Sequence, residues 1–348
     1  MAQLSPAAHA ALAADTFSSA AEIDLFFKDR TGLDFIDWFN QRLAGKGTFA
    51  DRRIRPDAGE QMLDVKREFI EFWNNIPIVF RKEEITLFDF AALMCIAINE
   101  QGGRLRSRTE VCGRGAKDKL GRRHEGLSYA FDVLPGIKRS YNMLAGNRTA
   151  HACFSDPLFC KAHGDLALAD RLAAATNPGI VLSEAWKGDL YPFQEFPVLE
   201  DLAQAGFVMQ ADFYKFRGRG PIQITERAAY RKQVEFIQKY EGTNAVLLKF
   251  KALWLPLSSD DACTVSRDAD WNEIFAQKEM VYWSPRVYAD AAAAPPKNLF
   301  SMELEFDKLN GDKIGSLHRV GRTIGGINYA NTKYMPRVVE LLEEAARQ

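Results

Sequence analysis

Long apolar runs are missing from this 348-residue sequence: nowhere do about eighteen uncharged hydrophobic residues follow one another, which excludes a transmembrane helix. Cysteine is scarce. The five present are an odd number without paired metal-ligand spacing, so neither a disulfide framework nor a zinc site is indicated, and the reading includes no metal and no cofactor. Free thiols are the preferred reading, with a local Cys153–Cys160 bridge in an oxidising compartment as the alternative. An excess of either charge is lacking too. Lys and Arg number 45 against 46 Asp and Glu, a formal net charge of −1, so any attraction to nucleic acid or membrane must be local. Alternating β patterns are few, no repeat recurs at a solenoid period, and no low-complexity linker divides the chain. The opening MAQLSPAAHAALAADTF has neither a basic stretch nor a strong apolar one, so it does not read as a secretory signal.

What is present is the composition of a soluble globular protein: 47% hydrophobic and 26% charged, with 24 Phe and 6 Trp to fill a core. Helical periodicity dominates. Residues 8–14 and 20–28 read as short helices, and Met62 to Trp73 carries Leu63, Val65, Phe69, Ile70 and Phe72 at helical spacing. Between them, Gly45 to Gly59 is polar and holds Gly, Asp, Arg and Pro, the best candidate for a boundary. Then comes ITLFDFAALMCIAINEQGG, in which Thr86 suits an N-cap with Asp89 at N3 and Gly102 supplies the stop. Nearly every residue between is apolar, so this helix is predicted to be buried all round. Further helical patterns cover Tyr129–Leu144, Leu166–Ala175, Thr225–Tyr240 and Ala245–Trp254. A last helix starts near Pro336 with Val338, Leu341, Leu342 and Ala345 on one stripe. The fold class is mainly α, with long loops and little β structure.

Three stretches carry candidate chemistry. Glu100 ends the apolar helix, where partial burial and the negative end of the helix dipole both favour the protonated acid, as a general acid requires; a Glu emerging into solvent is the alternative. The second stretch is FYKFRGRGPIQITERAAY, residues 213–230. Alternation from Pro221 to Thr225 predicts a short extended segment with Gln223 and Thr225 on one face and Ile222 and Ile224 in the core. It lacks the Lys-Ser/Thr ending of a phosphate-binding loop. The third is GRTIGGINYANTKY, residues 321–334, where Gly325 and Gly326 before Asn328 suggest a tight turn with exposed amides.

Together these stretches resemble glycoside hydrolase family 19, the chitinase and endolysin branch of the lysozyme-like superfamily. NEQGG is similar to that family's H-E-T/S-G-G, FRGRGPIQIT to its Y-x-G-R-G-P-I-Q-L-T/S, and TIGGIN to its I-N-G-G-x-N, in the family order. The resemblance spans roughly residues 61–348 and leaves residues 1–60 as an N-terminal helical extension of unknown role. It implies a bilobed lysozyme-like fold and inverting hydrolysis of β-1,4 bonds in chitin or bacterial peptidoglycan. Inversion needs a protonated acid at the leaving oxygen and a carboxylate base that activates water. The resemblance implies Glu100 as acid, Thr225 as the hydroxyl holding that water, and Gln223, Arg219, Tyr230 and Asn328 as substrate contacts. For the base it favours Glu125, in EGLSYA, with Glu110 as rival. Two positions depart from the family pattern: Ala229 replaces the Asn of its N-Y pair, and Ile324 stands where it has a sugar-binding Asn. An aliphatic side chain cannot replace an amide's hydrogen bond, so the chitin-type subsite is altered.

The segment after Glu100 adds a preference. Residues 104–123 hold eight Lys and Arg, among them Arg104, Arg106 and Arg108, against Glu110 and Asp118. Such a loop favours an anionic polymer, and peptidoglycan carries carboxylates whereas chitin carries none. The preferred reading is therefore a peptidoglycan-cleaving glycosidase, hydrolase or lytic transglycosylase. A chitinase, a non-catalytic glycan-binding module and a nucleic-acid binder are the alternatives, the last lacking interleaved aromatics that would stack bases. With no evident signal, the protein is expected to be made in the cytoplasm and to reach the cell wall by lysis or by a secretion apparatus. That route leaves open a delivery partner or an immunity protein.

Overall fold

A computed structural model describes residues 4–80, 83–110, 215–292 and 330–347, together with 116–117, 123–124 and Leu158. The chain divides into two compact units. One comprises Met1–Arg108, Arg219–Ile224 and Phe275–Gln348, the other Thr109–Gly218 and Thr225–Ile274.

The first unit opens with α1 (Pro6–Leu12), β1 (Thr16–Phe17), α2 (Ala20–Thr31) and α3 (Phe35–Arg42), and continues after a 3₁₀ turn at Gly47–Phe49 with α4 (Met62–Trp73), α5 (Ile76–Phe80) and β2 (Ile85–Thr86). Helices α1 to α4 pack around α6 (Leu87–Gln101), whose side chains from Leu87 to Asn99 are buried without exception. A helix apolar on every face is stable only when enclosed. The enclosure here is aromatic: the ring of Phe90 meets Phe35 edge-on at 4.8 Å and Trp73 at 4.7 Å, with Phe27 and Phe69 just beyond. Each such ring, fully buried, contributes on the order of 1.5–3 kcal/mol. On α4 the inward side chains are Val65, Phe69, Phe72 and Trp73, while Leu63 and Ile70 face outward.

Both ends of α6 are fixed by local chemistry. Thr86 Oγ1 accepts from the Asp89 amide at 3.1 Å and Asp89 Oδ2 accepts from the Thr86 amide at 3.2 Å, a reciprocal capping box. Strand β1 pairs antiparallel with β2, Thr16 opposite Thr86, and so ties the N-terminal helices to this cap. At the other end Gly102 adopts the left-handed conformation (φ 63°), and its amide closes onto the carbonyls of the last turn. Gly103 (φ 82°) leaves no room for a side chain: a Cβ there would lie 2.7 Å from Ile54 Cγ1 and 3.3 Å from Ile98 Cγ1. The polar stretch 45–59, read from sequence as a boundary, therefore packs onto the end of α6 within one compact unit, and residues 1–60 belong to that unit.

The second unit contains β3 (Ala116–Lys117), β4 (Arg123–His124), α7 (Glu226–Gln238), α8 (Ala245–Trp254), α9 (Ser259–Val265) and most of α10 (Asp268–Phe275), α7 lying against α8 and α9. Trp271 is its aromatic centre, 4.7 Å from Tyr230 and 5.2 Å from Trp254. Buried Lys215 donates to the carbonyls of Cys263 and Ser266 at 2.8 and 3.1 Å, satisfying the otherwise orphaned end of α9. The remaining helices, α11 (Glu279–Ala292) and α12 (Met335–Ala346), belong to the first unit, where α12 packs on α1 and α6. The chain is thus mainly helical among the described residues. None of those helices is long and apolar enough to cross a membrane. The helices predicted at Tyr129–Leu144 and Leu166–Ala175 lie outside the described residues.

Gly103→Ala combines a positive φ with a contact far inside van der Waals distance, so it should destabilise the protein by roughly 2–4 kcal/mol. Removing the opposing atoms with Ile54→Ala should absorb part of that loss. Denaturant midpoints of both single variants and the double variant measure the coupling, and strict additivity would show that the two residues do not meet.

Candidate functional site

Glu100 is the one residue of α6 that is only half-buried past its cap, and its carboxylate accepts from at least two described neighbours. Oε1 accepts from Asn99 Nδ2 at 2.8 Å and from the hydroxyl of Tyr334. Tyr334 is fully buried and closes a π-helical turn, Ala330–Tyr334, that runs into α12. The Asn99 amide is held in turn, since its Oδ1 accepts from Arg337 Nη1. Arg337, 1% exposed on the apolar stripe of α12, also donates to Thr48 O at 3.0 Å and pairs with Asp51 at 3.1 Å. Neither Asn99, Tyr334 nor Arg337 stands out in the sequence. The available signal is Arg337 itself, a cation within the stripe of Val338, Leu341 and Leu342, which must find polar partners where it is buried.

The segment Arg219–Ile224 belongs to the same unit and is a tight turn, where the alternation predicts extended backbone. Arg219 and Ile224 exchange backbone hydrogen bonds at 3.2 and 2.9 Å, and the Gln223 amide donates to Gly220 O at 3.2 Å. Gly220 and Pro221 supply the turn signal that the alternation masks. Burial still alternates as predicted, with Ile222 and Ile224 1% exposed and Gln223 half-buried. Gln223 takes φ 51°, a conformation uncommon outside glycine, and its Nε2 donates to Arg108 O and Gly220 O at 3.0 Å each. The turn is moored to the end of α6, because Gln101 Nε2 donates to the Gly220 carbonyl. Arg219 is fully buried.

An open cleft of about 590 Å³ runs along the end of α6 and is lined by Asn99 to Gly102, by Asp51 to Arg53, and by Arg55, Asp57, Arg104 and Arg108, among others. Its walls carry five arginines and three carboxylates, Glu100 included. The cationic segment after Glu100 is largely neutralised. Arg104 is 2% exposed, holds Glu68 with both Nε (2.8 Å) and Nη2 (2.6 Å), and donates Nη1 to Glu60 at 2.7 Å. Arg106 pairs with Asp57 and Glu60, and Arg108 with Asp57 at 3.0 Å. Burial opposes the Arg104 charge, but the hydrogen bonds to Glu68 and Glu60 outweigh it and hold the guanidinium more firmly protonated than usual. The bonds from Arg104 and then Arg106 hold the Glu60 carboxyl down at about 2. Three arginines thus stand against three carboxylates, and their charge is not surplus.

Three sequence-predicted residues lie in the second unit. Thr225 is the N-cap of α7 but does not use its hydroxyl for the cap, and that hydroxyl has no hydrogen bond to any described residue. Tyr230 is fully buried, and its hydroxyl donates to Arg217 O at 2.6 Å. Glu110 braces the backbone, since its Oε2 accepts from the Gly218 amide at 3.1 Å and its own amide donates to Gly218 O at 2.7 Å. Glu125 and Asn328 lie outside the described residues, as do Ile324, Cys153 and Cys160. No family model, curated protein or solved structure matches this chain.

The ion cluster fixes a pH dependence of stability. Glu60 titrates near 4.5 when unfolded and near 2 when folded, so its contribution is complete above about pH 5 and is lost as pH falls from there towards 2. Melting temperature should fall through that window more steeply for wild type than for Glu60→Gln. Parallel curves would mean that the Arg104 and Arg106 contacts add nothing to stability.

Proposed function

We propose that this chain is a glycoside hydrolase of lysozyme-like, bilobed fold, related to family 19, that cleaves β-1,4 bonds of bacterial peptidoglycan with Glu100 as general acid. One observation carries the reading. Two of the three motifs that resemble the family, far apart in sequence, meet at one point, Glu100 and Gln101 from the first and Gly220, bonded to Gln101, from the second; Tyr334, six residues past the third motif, is bonded to Glu100. A motif match by chance does not require its parts to touch. Chemically, a carboxyl held in one orientation at the rim of an open cleft suits proton delivery to a glycosidic oxygen. The uncommitted hydroxyl of Thr225 is consistent with a role in holding water. Because Glu110 already serves the backbone of residue 218, the base is proposed to be Glu125. The substrate places the site of action in the cell wall, reached after lysis or through a secretion apparatus.

Glu100→Gln keeps the shape and loses the transferable proton, so turnover should fall by about 10²–10⁴-fold with the melting temperature nearly unchanged. Products from purified peptidoglycan and from chitin oligomers, analysed by mass spectrometry, identify the bond and the substrate. Glu125→Gln should also be nearly inactive, and azide should partly restore it as a glycosyl azide of inverted configuration. Full activity of the Glu100 variant would remove it as the acid. Anhydro-sugar products with both Glu125 and Glu110 dispensable would make the enzyme a lytic transglycosylase.

A further inference from the structure

The geometry points to Arg53 and Arg55 as a carboxylate-reading subsite in the cleft beside Glu100, selecting a glycan that carries acidic substituents over a neutral one. The inference rests on the glycosidase reading of that cleft and adds the residues that determine its specificity. Its starting point is the segment Arg53–Ile54–Arg55. Ile54 is fully buried and pinned twice through its backbone, its amide donating to Asn40 Oδ1 at 3.0 Å and its carbonyl accepting from Asn40 Nδ2 at 2.8 Å. Its side chain occupies the space left by Gly103. With the middle residue facing the core, both flanking arginines are exposed and line the cleft that Glu100 lines. Two such long side chains, one residue apart on either side of Ile54 and lining the same cleft, are within reach of one common anion.

The other arginines of the cleft are committed. Arg52 pairs with Asp51 at 2.8 Å, Arg108 with Asp57 at 3.0 Å, and Arg104 with Glu60 and Glu68. Arg53 and Arg55 form no ion pair with any described residue, so the cationic surplus of the cleft resides in them. A pair of guanidinium groups on a rigid segment matches planar oxyanions through charge-assisted hydrogen bonds. In a cleft, such a pair also attracts an anionic chain before contact. The lactyl-peptide carboxylates of peptidoglycan supply that group, and chitin has no counterpart. Phosphate of wall-bound polymers offers similar chemistry from another source, which the test separates.

The experiment uses the full chain with Arg53→Gln and Arg55→Gln combined. Substrates are sacculi stripped of phosphate polymers, and the same sacculi with their carboxylates converted to amides. Turnover and, in the Glu100→Gln background, sedimentation binding are measured on both. The double variant should lose about tenfold or more on native sacculi, the scale of one charge-assisted contact, and several-fold less on amidated sacculi. Wild type should itself prefer the native form. Because both side chains are exposed, the melting temperature should stay within a degree or two. Equal losses on both substrates, or no loss on the native one, overturn the subsite. So does a preference that appears only while phosphate polymers remain, or arginine-dependent binding of a DNA oligonucleotide that exceeds glycan binding. If no glycan is cut by any variant yet charge-selective binding still depends on the two arginines, the glycosidase reading falls and the subsite stands.

Discussion

Helix α6 carries apolar side chains on every face, so it is stable only where other elements cover all of them. That requirement draws helices from both ends of the sequence into one unit: α2 to α4 close around Phe90, and α12 returns to pack on the same helix. A buried helix leaves its polar business at its ends, where four amides and four carbonyls lack intrahelical partners. At the first end the Thr86–Asp89 box deals with them locally. At the second, the left-handed Gly102 closes the last turn, while the terminal side chains recruit distant segments: Gln101 takes Gly220, and Glu100 takes Tyr334. The candidate site lies where it does because the core of α6 excludes polar chemistry from everywhere else along the helix.

Among the described residues, two physical kinds of arginine stand out. Arg104, Arg217 and Arg337 are buried, and each is met by carboxylate or carbonyl groups, because an unpaired charge in the interior costs several kcal/mol. These residues fasten elements together, Arg104 joining the segment after Glu100 to α4 through Glu68, and Arg337 joining α12 to Asp51. Arg53 and Arg55 are of the other kind, exposed on a backbone that the core holds still. A count of charges along residues 104–123 cannot separate the two. The exposed arginines of the cleft without a described ion-pair partner lie instead in the stretch 45–59, which as a sequence looks like a connection.

The legible parts are those whose determinants are local. Thr86, Asp89 and Gly102 announce the limits of α6 within a few residues of each limit, and Pro336 with its stripe announces α12. Glu100 at a helix end follows from the same signals. The opaque parts depend on contacts between distant segments. Gly103 gives no sign in sequence of what it faces, and the space it leaves is filled by Ile54. Alternation through residues 221–225 reports burial correctly and backbone wrongly, because a turn that tucks Ile222 and Ile224 inward gives the same pattern as a strand. Asn99 is invisible for a third reason: as an isolated amide near a helix end it has many structural uses, and only the presence of Arg337 and Glu100 on opposite sides gives it one.

That amide shows how firmly the candidate acid is oriented. Arg337 offers only donors, so it requires the oxygen of Asn99 and leaves the nitrogen for Glu100 Oε1. Flipping the amide would set a donor against a guanidinium and an acceptor against a carboxylate, two repulsions in a place where Asn99 is 7% and Arg337 1% exposed. In such surroundings electrostatic errors are poorly screened and satisfied bonds strengthen one another. The orientation therefore propagates: Asp51 and Thr48 fix Arg337, Arg337 fixes Asn99, and Asn99 with Tyr334 fixes one oxygen of Glu100. A surface glutamate with no role beyond solubility has no need of three buried residues to aim it. The proposed general acid would have to meet a leaving oxygen within a few tenths of an ångström, and such a role does call for an aimed carboxyl.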